Sequence, residues 1–206
     1  MSAEPLGGRP APGLPAPVSR RAGSRSHRPP GTPLRAEPVR TARLDLLPLR
    51  VEHADEMAGV LSDPALHAFI GGAPLGVAEL RARYARLVAG SPDPEVQWCN
   101  WVLRLRADGR LVGTVQATVT DDGDSGGADA VAEVAWVVGT AWQGRGFAAE
   151  AARRLVGLLG RRGVGTIVAH IHPDHRASAA VAGAAGLAPT GAEHDGEAVW
   201  RLVLGR

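Results

Sequence analysis

The apolar positions of this chain change period several times, and each change marks an element. Arg43-Leu44-Asp45-Leu46-Leu47-Pro48-Leu49-Arg50 alternates like a strand with one buried face. His53–Leu61 then places Ala54, Met57, Ala58 and Leu61 at helical spacing, and Ser62-Asp63-Pro64 ends that run. Val77–Val88 predicts a second helix, with Leu80, Tyr84, Leu87 and Val88 on one stripe. Trp101–Arg106 returns to alternation, Asp108-Gly109 is a hairpin turn, and Arg110–Thr120 pairs back. After a polar loop at Asp121–Gly127, Ala130–Val138 is a further strand.

Gly146–Arg162 predicts the longest helix. Ala148, Ala152, Leu155 and Leu159 form its buried stripe, and Glu150 and Arg154 stand four apart as an ion pair. Arg161 and Arg162 suit the negative end of the helix dipole, and Gly163 supplies the stop. Thr166–Ile171 is a strand, Ala177–Ala185 a short Ala-rich helix and Glu197–Leu204 a closing strand. A small extra strand is expected near Leu187–Thr190. The order is strand, two helices, three strands, helix, strand, helix, strand: an α/β chain of the α+β kind.

Residues 1–40 are composed differently. They hold nine of the 16 prolines and almost no large apolar side chain, too little to offset the entropy of ordering. A disordered Pro/Arg-rich tail is expected there, and one folded domain over 41–206. Seven arginines and two glutamates give residues 1–40 a charge of +5; since the whole chain is +2, residues 41–206 carry −3. There is no lysine, which reads as genomic base composition rather than design for phosphate binding. The tail could serve as a weak arm for an acidic partner, but nucleic acid is not an expected partner. Arg20-Arg21 is followed by no apolar run, so it is not an export signal. Cys99 is the only cysteine, so no intrachain disulfide forms, which fits a reducing cytoplasm. No window approaches the ~20 apolar residues of a membrane helix.

The most informative stretch is Val134-Ala135-Trp136-Val137-Val138-Gly139-Thr140-Ala141-Trp142-Gln143-Gly144-Arg145-Gly146-Phe147-Ala148-Ala149-Glu150. A strand ends, a loop turns, and glycines open a helix. The first amides of a helix lack internal partners and sit at the positive end of its dipole, which suits an anion. Gly144 and Gly146 remove side chains that would keep a diphosphate from the backbone, and Arg145 can add charge.

Gln143-Gly144-Arg145-Gly146-Phe147-Ala148 resembles the signature Gln/Arg-x-x-Gly-x-Gly/Ala of the GNAT superfamily of N-acetyltransferases. The likeness runs over about residues 41–204, through the element order and the Gly186-Leu187 that closes the last helix. It implies a GNAT fold: a central mixed, mostly antiparallel sheet of six to seven strands, flanked by helices. The sheet would be splayed between its fourth and fifth strands, Ala130–Val138 and Thr166–Ile171. It further implies that the amides of Gln143, Gly144, Arg145, Gly146, Phe147 and Ala148 hold the pyrophosphate of acetyl-coenzyme A, the cosubstrate. Backbone groups of Val137 and Val138 would pair with the pantetheine arm. The enzyme would be a monomer or homodimer acting on a small-molecule or peptide amine, with no metal.

Acetyl transfer to an amine needs a proton acceptor, donors for the thioester oxyanion, and an acid for the leaving thiolate. Glu133, early on Ala130–Val138, is the candidate base, since the family often places a Glu there; a surface carboxylate is the alternative. A backbone N–H near Val138 would serve the oxyanion. Ser178, in His175-Arg176-Ala177-Ser178, stands where the family often has Asn-x-x-Ser. His175 replaces that Asn and is the other candidate acid, or a structural residue. The family's usual acid is a tyrosine on this helix, but the only one here is Tyr84, far upstream. Trp98, Asn100 and Gln116 are expected on the acceptor side, where aromatics flank an amine or simply pack.

Two other motifs compete. Gly144-Arg145-Gly146-Phe147-Ala148-Ala149 fits a dinucleotide fingerprint, but Gly139–Gln143 separate it from its strand and too few βα units follow. His170-Ile171-His172-Pro173-Asp174-His175 resembles the metal-binding signature of metallo-β-lactamases and offers a metal-dependent hydrolase as an alternative, while the preferred reading is that these histidines edge the active-site cleft of an acetyltransferase. Only His194-Asp195 could complete its ligands downstream. A third possibility is a non-catalytic acyl-coenzyme A-binding module.

Overall fold

The computed structural model describes residues 34–120 and 130–204. Residues 1–33 of the expected tail, and the expected loop Asp121–Gly127, lie outside these.

The first strands are β1 (Val39–Arg40) and β2 (Leu44–Pro48). A single 3-10 turn at Val51–His53 leads into the helices α1 (Ala54–Val60), α2 (Pro64–Ile70) and α3 (Val77–Ala89). Three strands follow: β3 (Val96–Leu105), β4 (Leu111–Thr120) and β5 (Ala130–Val138). The chain ends with α4 (Phe147–Arg161), β6 (Val164–Ile171), α5 (Arg176–Ala184), β7 (Ala188–His194) and β8 (Glu197–Val203).

All eight strands form one sheet in the order β1-β2-β3-β4-β5-β6-β8-β7. Only β5–β6 is parallel. The sheet thus exceeds the expected six to seven strands, because β1 adds an edge and β7 is a full hairpin partner of β8. Alternation gives the sheet two faces. On one, Trp101, Leu103, Val115, Ala132 and Ile167 are buried together with Phe147, Ala151, Ala152, Leu155, Val156 and Leu159 of α4. On the other, Val102 and Leu111 pack with α1 and α3 through Met57, Val60, Leu80 and Leu87.

Three local expectations change. Residues 34–40 belong to the fold because they satisfy polar groups of β3. The Leu34 amide donates to Gln97 Oε1 (2.6 Å), and Trp101 Nε1 donates to the Glu37 carbonyl (2.8 Å). Ser62-Asp63-Pro64 ends one helix and also starts another. Asp63 accepts from the Ala65 amide (2.9 Å) as N-cap of α2, with Pro64 at the first helical position. Glu150 turns away from Arg154 to Thr41 and Arg43, which offer three hydrogen bonds instead of one exposed pair.

One feature of the topology makes room for chemistry. β5 pairs with β6 only through Ala130–Glu133, ending at Glu133 opposite Val168. Beyond that, β5 stays on β4 to Val138, while β6 stays on β8 to Ile171. The two strands diverge into a wedge.

Candidate functional site

The wedge opens beside the start of α4. A 3-10 turn, Thr140–Trp142, carries the chain from β5 to Gln143, and Gly139 lets that turn sit close to α1: a Cβ there would be 2.8 Å from the Val60 carbonyl oxygen. Gly144 and Gly146 both have positive φ (73° and 77°), and Gly146 is the N-cap of α4. Nothing lies within 4 Å of a Cβ built on Gly144. The first helical bond runs from the Glu150 amide to the Gly146 carbonyl (3.0 Å). The amides of Gly144–Ala149 have no acceptor among the described residues. They form an open, electropositive turn with the chemistry that suits an anion.

Each cradle residue has a distinct place. Gln143 Nε2 donates to the Val138 carbonyl (3.0 Å), so its side chain ties the cradle to the end of β5. The Arg145 side chain is exposed, and its carbonyl accepts from Arg43 Nη1 (2.9 Å). Phe147 is buried beneath the Arg43 guanidinium, 4.7 Å from the ring centroid. Ala148 is half-buried against the core.

The main-chain edge differs by one residue from expectation. The Gly139 amide donates to the Val112 carbonyl (2.9 Å), so Val137, two residues earlier, also directs its main chain to β4. Trp136 and Val138 direct theirs into the wedge. The edge presented there is Trp136 and Val138, not Val137 and Val138.

The strand register gathers the acceptor-side candidates. Asn100, Gln116 and Ala135 lie directly opposite one another in one row; Trp98, Thr118, Glu133 and Val168 form the next. Directly opposed residues share a face, so Trp98, Asn100, Gln116 and Glu133 all stand on one side of the sheet. Trp98 also packs on the α1–α3 cluster. His170, two residues after Val168, is on that side as well, and its Nδ1 meets Glu133 Oε1 at 3.3 Å.

Ser178 and His175 flank the wedge from α5. Trp136 Nε1 donates to Ser178 Oγ (3.3 Å), so an indole from β5 reaches across to α5. His175, the residue before α5, stacks on Phe69 of α2 with ring centroids 4.1 Å apart. Burial, then the neighbouring His172, lowers the pKa of His175 below its usual 6.5, so the ring is neutral near pH 7. The start of α2 lies beside the turn that precedes the cradle, where the Thr140 side chain and then the Ala65 amide hold the Asp63 carboxyl below its ordinary pKa.

The His-rich segment is dispersed. His170 turns to Glu133, His175 stacks on Phe69, and His172 accepts from the Asp174 amide through Nδ1 (3.2 Å). Among the described residues no three His, Cys, Asp or Glu side chains converge to hold a metal. Cys99 is buried, its pKa pushed up to about 12 by burial, so it is no thiolate nucleophile.

Sequence reasoning missed Arg43, Thr41 and the Glu133–His170 contact. All act over long separations and carry no local signature. The one available signal for Thr41 and Arg43 was two polar residues set just before an alternating strand.

A family model described as an acetyltransferase (GNAT) domain matches residues 43–188, and the chain belongs to that family. No curated protein matches it. Its structure resembles a GNAT-family acetyltransferase from Bacillus anthracis (16% identity, TM-score 0.63, 81% of this chain and 98% of that one). It also resembles the ribosomal L7/L12 alpha-N-protein acetyltransferase RimL bound to coenzyme A (16%, 0.65, 82% and 98%). A third similar structure is the aminoglycoside acetyltransferase AAC(6')-Ib bound to coenzyme A (19%, 0.61, 78% and 94%). At these identities the likeness is one of fold.

Proposed function

We propose that the protein transfers an acetyl group from acetyl-coenzyme A to a primary amine of a small molecule or a protein N-terminus, by direct attack in a ternary complex. The observation that carries this reading is the row of bare amides at Gly144–Ala149, beside a wedge whose β5 edge offers unpaired main-chain groups. The amides of Gly144–Ala148 hold the pyrophosphate, whereas the Gln143 amide, expected among them, is taken by the Thr140 carbonyl (3.2 Å) and Gln143 serves through its side chain instead. The edge at Trp136 and Val138 holds the pantetheine arm, and the Val138 amide serves the oxyanion. Glu133 lies at the acceptor face with Trp98, Asn100 and Gln116, where an amine would wait. Ser178, whose oxygen already accepts from Trp136, keeps its own hydroxyl hydrogen for the leaving thiolate. His175, neutral near pH 7, can assist only as a hydrogen-bond donor. Similar folds serve a ribosomal-protein amine in one case and an aminoglycoside in another, which favours an amine acceptor here. A cytoplasmic monomer or homodimer without metal accords with this chemistry.

The test is a thiol-release assay with acetyl-coenzyme A against free-α-amine peptides and aminoglycosides, with and without chelator. Release with at least one amine, unaffected by chelator, is expected. Coenzyme A binding without release from any amine would favour the non-catalytic module, and chelator-sensitive hydrolysis would favour the metal hydrolase.

A further inference from the structure

The wedge begins at the Glu133–Val168 pair, and at its start the Glu133 side chain meets His170 of β6. We propose that His170 takes the proton from the attacking amine, and that Glu133 is the positioning residue that orients its ring. This rests on the acetyl-transfer reading and changes which group moves the proton.

Three observations carry it. A carboxylate only accepts hydrogen bonds, so the contact to Glu133 Oε1 places the hydrogen on Nδ1 of the neutral ring. The lone pair is then on Nε2, which has no hydrogen-bond partner among the described residues. The His170 side chain is also the more enclosed of the two, 22% exposed against 36% for Glu133. Finally, Ala135, the next β5 residue on this face, presents only a methyl group. On this face of β5, no large side chain therefore follows Glu133 at the Asn100–Gln116–Ala135 row.

The surrounding charges favour a basic imidazole. The hydrogen bond that His170 donates to Glu133 raises its pKa above 6.5 against the opposing effect of burial, helped by the charges of Glu133, Glu197 on β8 and Asp195 in the β7–β8 turn. The His194 ring of β7 lies 5.2 Å away, tilted. An imidazole whose pKa is raised above 6.5 is a better proton acceptor for an amine than an ordinary carboxylate near ~4.3.

The step balances. The amine nitrogen bonds to the thioester carbonyl carbon, and the carbonyl π pair moves to oxygen. One N–H proton passes to His170 Nε2. The carbonyl re-forms, and the C–S bond breaks with its pair leaving on sulfur. His170 then gives its proton to solvent, and the thiolate takes one from solvent. The products are the acetamide and coenzyme A.

The test compares wild type, His170→Gln, Glu133→Gln and Glu133→Asp, using the best amine from the thiol-release panel. The expected result for His170→Gln is a loss of about 10²-fold in kcat with unchanged acetyl-coenzyme A affinity. The alkaline-rising limb of the kcat/KM profile assigned to the ring should vanish. Glu133→Gln should retain more activity and move that limb to lower pH, and Glu133→Asp should restore part of the shift. Should His170→Gln misfold, a ring-nitrogen NMR titration of the wild type reads the same point: an Nδ1–H tautomer supports the proposal and an Nε2–H tautomer overturns it. Transfer by His170→Gln at the wild-type rate and pH dependence would overturn this inference while leaving the acetyl-transfer reading intact. Coenzyme A binding without transfer to any amine would instead defeat that reading, and this inference with it.

Discussion

Arg43 Nε and Glu150 Oε2 meet at 2.7 Å, and this contact joins the entry of β2 to the first turn of α4. The same guanidinium donates to the Arg145 carbonyl and lies over Phe147, so one side chain touches two cradle residues and the first turn of the helix behind them. A built Gly146 Cβ would lie 3.5 Å from Arg43 Nη2. The arginine thus borders the diphosphate position and braces the loop that forms it. Arg43→Ala should weaken acetyl-coenzyme A binding by about tenfold, or ~1.4 kcal/mol, measured by calorimetry. Unchanged affinity would show that the loop holds its shape alone.

Glu150 makes an acid-side prediction. Burial would raise its pKa, but hydrogen bonds from the Thr41 hydroxyl and from the Arg43 main chain and side chain outweigh it, and the net shift is below 4.5. A carboxylate with a depressed native pKa contributes stability that is fully present above its unfolded value. That contribution is lost as pH falls through the folded one. Glu150→Gln should therefore be less stable than wild type by about 1–3 kcal/mol at pH 7. The gap should narrow below pH 4.5 in urea titrations run across that range. A gap that stays constant with pH would contradict the assignment.

Phe69 and His175 predict the opposite kind of histidine from His170. Because His175 is held below 6.5, its contribution to stability is present above that value and is lost as pH falls beneath it. Phe69→Ala removes the stacked ring, should raise the His175 pKa toward 6.5 in an NMR titration, and should lessen destabilisation on the acid side. No change in the titration would mean that Phe69 does not shield the ring.

Tyr84 is a buried residue whose hydroxyl has no hydrogen-bond partner within the described structure. Burial raises its pKa, so it stays neutral. An orphaned buried hydroxyl costs free energy, so Tyr84→Phe should be neutral or more stable, by up to about 1 kcal/mol in chemical unfolding. A loss above that would point to a water-mediated bond.

Much of the fold was legible because alternation and helical spacing are local. Ala130–Val138 was read with its observed ends, and the glycine-opened turn into α4 was visible from residues adjacent in sequence. What escaped depends on distance along the chain. Glu150 finds Arg43 rather than Arg154, because the sheet brings β2 under the N-terminus of α4. Residues 34–40 look like tail by composition, yet they supply carbonyls and amides to Cys99, Trp101 and Gln97. His170 was legible only as one of several histidines at the edge of a cleft, because its partner Glu133 is brought to it by the parallel β5–β6 pairing.

The most direct measurement is isothermal titration of acetyl-coenzyme A into wild type and Gly144→Trp. Gly144 faces open space, so a side chain there meets no protein atom; its left-handed φ of 73° confines the strain to the turn itself, and circular dichroism should show the same overall fold. The account predicts saturable binding by wild type and none by the variant. Equal binding by both, or none by either, would contradict it.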